Sequence, residues 1–209
     1  PITFRKLKGK NKTALQAQLG LEQNEKKFMV GLISRLTDQK GLDLIACVMD
    51  EICAEDVQFV ILGTGDPKYE NMFRHYAWKY QGRVSANIYY SNELSHRIYG
   101  ACDAFLMPSL FEPCGLSQLM SLRYGTVPIV RETGGLKDTV QAYNEYESTG
   151  TGFSFANYNA HEMLGVINYA KHIYYDKRRE WNKIIDRGMA MDFSWNTSAR
   201  KYEDLYRML

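Results

Sequence analysis

The sequence predicts an α/β fold in which helices cover both faces of a parallel sheet. Two observations lead to this prediction. Short apolar runs alternate along the chain with segments whose apolar residues recur at helical spacing, and no two-residue hairpin turn joins one run to the next. Consecutive strands are therefore connected as βαβ units, and the ligand crevice of such a sheet lies beyond the carboxyl ends of its strands.

Each strand is predicted from an apolar run bounded by polar or turn-forming residues. The runs FMVGLI, VQFVIL, AFLM and VPIV are rich in branched or aromatic side chains, as buried strands are. The segments between them place apolar residues three and four positions apart, which predicts helices. The predicted strands are 28–33, 57–62, about 86–90, 104–107 and 127–130, with an extended piece at 152–155. The predicted helices are 12–19, 42–52, 69–80, 92–99, 116–124 and about 136–143.

After residue 160 only helical spacing remains, which predicts helices at 161–174, 176–189 and 197–208. A chain of 209 residues is long enough for one α/β domain with a core. We therefore predict a single domain at 1–209, in which residues 1–25 lead in as a linker and helix and residues 160–209 form C-terminal helices.

The segment SLFEPCGLS, residues 109–117, joins a predicted strand to a predicted helix and has the most informative composition in the chain. Pro113 fixes one backbone angle, and Gly115 lets a ligand approach the backbone where free helix N–H groups gather. Those N–H groups favour an anion. The carboxylate of Glu112 is better suited to accept hydrogen bonds from sugar hydroxyls.

Two further strand-to-helix loops have compatible chemistry. The loop SRLTDQKGLD, residues 34–43, carries Arg35 and Lys40, which can converge on one diphosphate at the carboxyl end of a strand. The guanidinium of Arg35 offers a planar fork of hydrogen-bond donors, and the ammonium of Lys40 offers a compact positive charge. Thr133 and Gly134 open a third loop of this type, TGGL, after the strand at 127–130.

The composition argues against several kinds of partner. The formal net charge of +2 is close to balanced, and no basic run follows the Lys-rich start, so we expect no nucleic-acid partner. No apolar stretch reaches the roughly 18 residues of a spanning helix, and the start of the chain lacks the apolar core of a signal peptide. We therefore expect no membrane contact and a cytoplasmic location. The spacing of the four cysteines predicts neither a zinc site nor a disulfide framework.

The motifs SRLTDQKGLD, YSNELSHRIYGACDAFLMPSLFEPCGLSQL and GTVPIVRETGGLKDTV together resemble the glycogen and starch synthase family, and the resemblance runs from about residue 9 to the C-terminus. These retaining glycosyltransferases transfer glucose from a sugar nucleotide to a growing α-1,4-glucan. Their architecture, called GT-B, has two Rossmann-like halves. The resemblance implies that this chain is the C-terminal, nucleotide-binding half without its N-terminal acceptor domain, and we expect it to be an excised or processed piece of a longer enzyme.

The resemblance also implies roles for individual residues. Arg35 and Lys40 match the paired cations that neutralise the donor diphosphate and stabilise the leaving group. Glu112 matches the essential glutamate at the donor glucose, and Tyr90 matches the aromatic residue that stacks on the donor base. The residues whose match places them at glucose, the distal phosphate or the ribose are Cys114, Gly115, Leu116, Ser117, Thr133 and Gly134.

One sequence difference from a related group of transferases indicates which sugar nucleotide is the expected donor. Another large retaining group of this architecture carries a second glutamate eight residues after the first, where this chain has Met120. This favours the glucan synthases, whose bacterial and plastid members use ADP-glucose. The resemblance implies no metal and no cofactor. Because a Lys-Gly-Gly loop, the acceptor contacts and a catalytic histidine of the other half are not identifiable, we expect weak nucleotide binding and no glucan elongation by this chain alone.

Three alternatives to this interpretation are considered. The chain could be another sugar-nucleotide transferase of the same architecture, or a catalytically silent nucleotide- or glucan-binding module. The presence of Arg35, Lys40 and Glu112 argues against a silent module. A Rossmann-type oxidoreductase is disfavoured, because Lys68 occupies the place of the third glycine in the dinucleotide fingerprint.

Overall fold

The computed structural model describes residues 2–54 and 56–208, and it describes side chains from residue 4 onward. Within these residues six parallel strands form one sheet in the order β3-β2-β1-β4-β5-β6. The strands are β1 (Phe28–Ile33), β2 (Val57–Leu62), β3 (Val84–Asn87), β4 (Ala104–Met107), β5 (Val127–Arg131) and β6 (Phe153–Phe155). The predicted α/β class with a parallel sheet is therefore confirmed.

Helices connect successive strands and continue beyond the last one. They are α1 (Ile2–Gln18), α2 (Leu42–Ala54), α3 (Pro67–Lys79), α4 (Asn92–Ala101), α5 (Ser117–Arg123), α6 (Gly134–Thr139), α7 (Ala160–Asp176), α8 (Arg178–Ala190) and α9 (Trp195–Arg207). A single 3-10 turn, Asp38–Lys40, precedes α2.

The side chains of β1 alternate between two apolar clusters, one on each face of the sheet. Phe28, Val30 and Leu32 pack in a cluster that includes residues of α2, α3, α7 and α8. Met29 packs in the opposite cluster with residues of α1 and α4. Burial of each such side chain contributes roughly 1.5–3 kcal/mol. Both faces of the central strand are thus buried, which is why its sequence is almost wholly apolar.

Helix α1 begins at Ile2 rather than near residue 12, because lysines fasten its polar first half to the sheet. Lys8 Nζ donates to Thr126 Oγ1 at 2.7 Å and to the carbonyl of Tyr99 at 3.2 Å. Lys12 Nζ lies 2.5 Å from Asp103 Oδ2 and is buried. These contacts are made by lysine side chains with polar partners, so the spacing of apolar residues in the sequence does not reveal them.

Two other elements differ from their predicted bounds by more than two residues at one end. The strand expected at 86–90 is β3, which ends at Asn87, and the helix expected at 136–143 is α6, which runs from Gly134 to Thr139. In the second case the backbone of Val140 is extended and Tyr143 N donates to Gly152 O at 2.8 Å, so this segment runs alongside β6 instead of continuing the helix.

Helix α9 buries none of its described side chains, although it carries several aromatic and aliphatic residues. Trp195 is 90% exposed and Tyr206 69% exposed, and Tyr202 and Leu205 are also exposed. These apolar side chains therefore do not pack on the rest of the described domain. Among the described helices, none is long and apolar enough to cross a membrane.

Candidate functional site

The chain crosses over between β1 and β4, because the strand order proceeds from β1 outward to β3 and then resumes at β4 on the other side. Loops that follow the two central strands flank the crevice at such a switch point, where open α/β sheets bind their ligands. The loop after β1 carries Arg35 and Lys40, and the loop after β4 carries Glu112. The sheet topology therefore brings the predicted residues to one edge.

The two loops are in direct backbone contact. Gly41 has a left-handed φ of 70°, and a Cβ atom on it would lie 2.0 Å from the carbonyl oxygen of Pro108, so a glycine is required here. Leu110 N donates to Gln39 O at 2.9 Å, and Gln39 Nε2 donates to Phe111 O at 3.1 Å. These contacts hold Lys40 next to the loop that carries Glu112.

Each loop is also tied to a residue outside it. Arg131, at the end of β5, donates from Nε to Ser109 O at 2.8 Å and from its guanidinium to Leu110 O at 2.6 Å. On the other loop, Lys68 Nζ and Tyr69 Oη each lie 2.6 Å from Asp38 Oδ1. The hydrogen bond from Lys68 is the main cause of a lowered pKa for the Asp38 carboxyl. Sequence reasoning did not find Arg131 or Gln39, because their partners are carbonyl groups with no sequence pattern.

A cavity of about 350 Å³ lies between the two loops. Six of the predicted site residues line it: Arg35, Lys40, Glu112, Gly115, Leu116 and Ser117. The cations and the carboxylate thus share one cavity with the glycine turn. An opening of this size, with few convergent polar groups, is typical of a small-molecule site.

Lys40 and Glu112 form an ion pair within this cavity. Lys40 Nζ lies 2.6 Å from Glu112 Oε2, and the two side chains are only 17% and 12% exposed. A charge-assisted hydrogen bond in such partial burial is stronger than a surface ion pair. The resemblance implies that the two groups meet different parts of a ligand, whereas the structure also makes each the charge partner of the other.

The loop after β5 packs against the glycine turn rather than lining the cavity. Gly135 N donates to Glu112 O and to Pro113 O, both at 3.1 Å. A Cβ atom on Gly134 would lie 2.2 Å from Glu112 O. Gly134 and Gly135 therefore lie against the backbone of Glu112 and Pro113, and Thr133 immediately precedes α6.

Tyr90 and Cys114 lie outside the cavity. Tyr90 follows β3, two strands away from the switch point, and is 88% exposed. Cys114 is exposed rather than buried as a packing residue would be, and its Sγ lies 3.6 Å from the carbonyl oxygen of Gly115. In the described part of the chain, no group of three or more His, Cys, Asp or Glu side chains could hold a metal ion. Arg35 and Lys40 are the positively charged residues among those that line the cavity.

The sheet order and the cavity at its switch point define a doubly wound α/β domain of the ligand-binding type. A family model described as "Glycosyl transferases group 1" matches residues 16–187. The chain belongs to the family of group 1 glycosyl transferases, which confirms the class predicted from the motifs.

Curated relatives are glycogen synthases. The chain is 77% identical to glycogen synthase of Lachnospira eligens, with 100% of this chain and 44% of the relative covered. It is 75% identical to glycogen synthase of Lachnoclostridium phytofermentans, with 99% of this chain and 43% of the relative covered. The chain thus spans less than half the length of these relatives.

Solved structures show the same fold. The catalytic domain of starch synthase IV from Arabidopsis thaliana, bound to ADP and acarbose, superposes with a TM-score of 0.87 at 36% identity, covering 96% of this chain and 42% of that one. Anabaena Alr3699/HepE in complex with UDP-glucose matches with a TM-score of 0.72 at 18% identity, covering 96% and 53%, which shows the fold alone. The resemblance to glycogen and starch synthases stated from the sequence is confirmed.

Proposed function

We propose that this chain binds ADP-glucose and forms the donor half of a retaining glucosyltransferase that extends an α-1,4-glucan. One observation carries the proposal: Arg35, Lys40, Glu112 and the Gly115 turn surround one cavity at the switch point of the sheet. The similarity to glycogen synthases and to a starch synthase bound to ADP supports it.

The chemistry of the cavity suits a glucosyl diphosphate. The guanidinium of Arg35 and the ammonium of Lys40 neutralise the diphosphate, whose negative charge grows as the glycosidic bond to glucose breaks. Glu112 accepts hydrogen bonds from glucose hydroxyls and orients the sugar. The acceptor hydroxyl attacks the face from which the diphosphate departs, through an oxocarbenium-like state, and its proton passes to the departing diphosphate oxygen. The α configuration is therefore retained.

The remaining predicted residues complete the donor site in this proposal. Tyr90 stacks on the base, which requires it to meet the nucleotide outside the cavity described above. The backbone of Cys114 through Ser117 contacts glucose and the distal phosphate, and Thr133 and Gly134 lie on the phosphate and ribose side. The catalytic role needs the acceptor-binding half of a longer enzyme, because this chain spans less than half of its relatives. The cytoplasmic location stays a prediction.

Titration calorimetry of this chain with ADP and ADP-glucose tests the donor assignment. Lys40→Met should weaken ADP binding at least about tenfold, because a charge-assisted contact to phosphate is lost. Lys79→Met is the matched control, since Lys79 is an exposed lysine of α3 that pairs with Asp50 of α2 and does not line the cavity. Binding of neither ligand by the unaltered chain would contradict the proposal, and tighter binding of UDP-glucose would favour another transferase of this architecture.

Transfer of glucose to glycogen tests the role of the missing half. We expect no transfer from ADP-glucose by the 209-residue chain alone and transfer by the full-length enzyme that contains it. Measurable elongation by this chain alone would contradict the need for a second domain.

A further inference from the structure

Gln118 is buried beneath the turn that lines the cavity, and its side-chain amide holds that turn from below. The residue is 0% exposed. Its Nε2 lies 3.0 Å from Cys114 O, 2.9 Å from Gly115 O and 3.1 Å from Thr139 Oγ1. Two of these three acceptors are carbonyl oxygens, which cannot donate, so the amide atom that faces them is the NH₂ nitrogen.

The orientation of these carbonyls sets the direction of the N–H groups that follow. The peptide bonds in the described residues are trans, and in a trans peptide unit the N–H points opposite to the C=O. Because the carbonyls of Cys114 and Gly115 turn inward to Gln118, the N–H groups of Gly115 and Leu116 turn outward. Both residues line the cavity, and within the described residues neither N–H donates a hydrogen bond.

Packing alone does not explain why a glutamine occupies position 118, as the oxygen end of its amide shows. Its Oε1 is buried and has no hydrogen-bond partner among the described residues. A buried polar atom without a partner costs stability, so an apolar side chain of similar size would pack more favourably. The NH₂ group, which satisfies the turn, is the part of the side chain that the fold requires.

Thr139 extends the same network to the neighbouring loop. Its hydroxyl accepts from Gln118 Nε2 and donates to Gly135 O at 2.5 Å. Gly135 N in turn donates to Glu112 O at 3.1 Å. The network therefore joins the turn whose N–H groups face the cavity to the backbone of the residue that carries the carboxylate.

We propose that Gln118 is a positioning residue: it turns the N–H groups of Gly115 and Leu116 into the cavity, where they bind the distal phosphate of the donor nucleotide. Two adjacent N–H groups directed into one concavity form an anion site. Gln118 itself touches no ligand and acts through the backbone of the turn. This inference rests on the proposed function, because it assumes that a nucleoside diphosphate occupies the cavity.

Calorimetric titration of this chain with ADP and with AMP tests the inference, since only ADP carries the distal phosphate. Gln118→Leu should weaken ADP binding about tenfold, the loss expected for hydrogen bonds to a charged group, and leave AMP binding unchanged. Thr139→Val, which keeps Gln118 but removes one of its acceptors, should weaken ADP binding about threefold with the same selectivity. This second variant decides the question if Gln118→Leu does not fold.

Ser121→Ala is the matched control, because the buried Ser121 hydroxyl bonds to the backbone carbonyl of Gln118 at 2.9 Å without contacting the turn. It should lower the melting temperature while keeping the ratio of AMP to ADP dissociation constants. Equal weakening of both nucleotides by the Gln118 and Thr139 variants, or unchanged ADP binding by folded variants, would overturn the inference. Absence of ADP binding by the unaltered chain would overturn the proposed function as well.

Discussion

Lys40 and Glu112, which are 72 residues apart in the chain, meet in an ion pair of 2.6 Å at the centre of the candidate site. Each side chain is mostly buried, so each satisfies the charge of the other. A diphosphate must compete with Glu112 for the ammonium. We therefore expect the Glu112 carboxylate to become available to sugar hydroxyls when the nucleotide binds. Experiments can then distinguish the contribution of Lys40 from that of Glu112.

Glu112→Gln should affect catalysis and nucleotide binding in opposite ways. The neutral amide frees the charge of Lys40 for the diphosphate, so ADP affinity should stay the same or rise up to about threefold. Turnover in the full-length enzyme should fall at least about 100-fold, because the oriented acceptor for the sugar is lost. Calorimetry of this chain and steady-state kinetics of the enzyme measure the two effects.

Glu132→Gln is the control for this comparison, since Glu132 follows the next strand and accepts a hydrogen bond from Ser154 at 2.8 Å. It should change neither quantity appreciably. Comparable losses in affinity and turnover for Glu112→Gln would indicate that the carboxylate serves binding alone.

Gly41→Ala should separate the two loops of the site. The added Cβ would lie 2.0 Å from Pro108 O at a left-handed φ, so the free energy of unfolding should fall by at least about 2 kcal/mol. ADP binding should be lost with the loop contact. Gly165→Ala in α7 is the control, because its Cβ meets nothing within 4 Å and should stabilise the helix by roughly 0.5–1 kcal/mol. Urea denaturation measures both; equal stabilities of the two variants would contradict the role assigned to Gly41.

Tyr90→Ala should weaken nucleotide binding without changing stability. The side chain is 88% exposed, so its removal costs little packing. Loss of a stacking contact with the base should weaken ADP binding about five- to tenfold. Tyr146, 95% exposed in a different loop, provides the matched control Tyr146→Ala. The same affinity for both variants would remove Tyr90 from the site.

Lys8 should give the chain a distinctive pH dependence of stability. Burial lowers the pKa of the Lys8 ammonium to about 8 from its ordinary 10.5. Between these values the unfolded chain binds more protons than the folded chain, so the contribution of Lys8 to the unfolding free energy rises with pH. From pH 7 to pH 9 the unaltered chain should gain about 1 kcal/mol relative to Lys8→Met.

Urea denaturation at the two pH values measures this difference. Lys6→Met, which removes an exposed lysine of the same helix, controls for the loss of a positive charge. Burial raises the pKa of the Cys53 and Cys102 thiols to about 12, which lowers stability above pH 9 and sets the upper limit of the interval. A difference between the unaltered chain and Lys8→Met that does not change with pH would show that Lys8 stays charged in the fold.

The elements whose bounds could be predicted from the sequence are those that pack among apolar side chains. The bounds of β1 and β2 agree at both ends, because each is buried on both faces of the sheet and its apolar run ends where burial ends. The extent of α1 was not predictable, since Lys8 and Lys12 bind partners that lie far away in the chain. The aromatic pair Tyr89 and Tyr90 suggested a longer β3, yet both side chains are exposed.

The sheet topology alone places the strand-to-helix loops at one edge of the sheet, and to that extent the candidate site could be predicted. Because parallel strands bring their carboxyl ends to one edge, Arg35, Lys40 and Glu112 could be assigned to one cavity from their loops. The ion pair between Lys40 and Glu112 depends on the close approach at Gly41, which no pattern reports. Gln118 and Arg131 could not be predicted either, because both bind backbone carbonyls, which have no sequence pattern.

The adjacency of β1 and β4 has a consequence for biosynthesis. The segments that form the two walls of the cavity are separated by the whole of α2, β2, α3, β3 and α4, and β1 and β4 pair only after these have been made. A nascent chain emerging from the ribosome therefore has no pocket until β4 is in place, and such non-local pairing is slow to form. A nucleotide that binds there as proposed would stabilise the finished domain but could not assist its early folding.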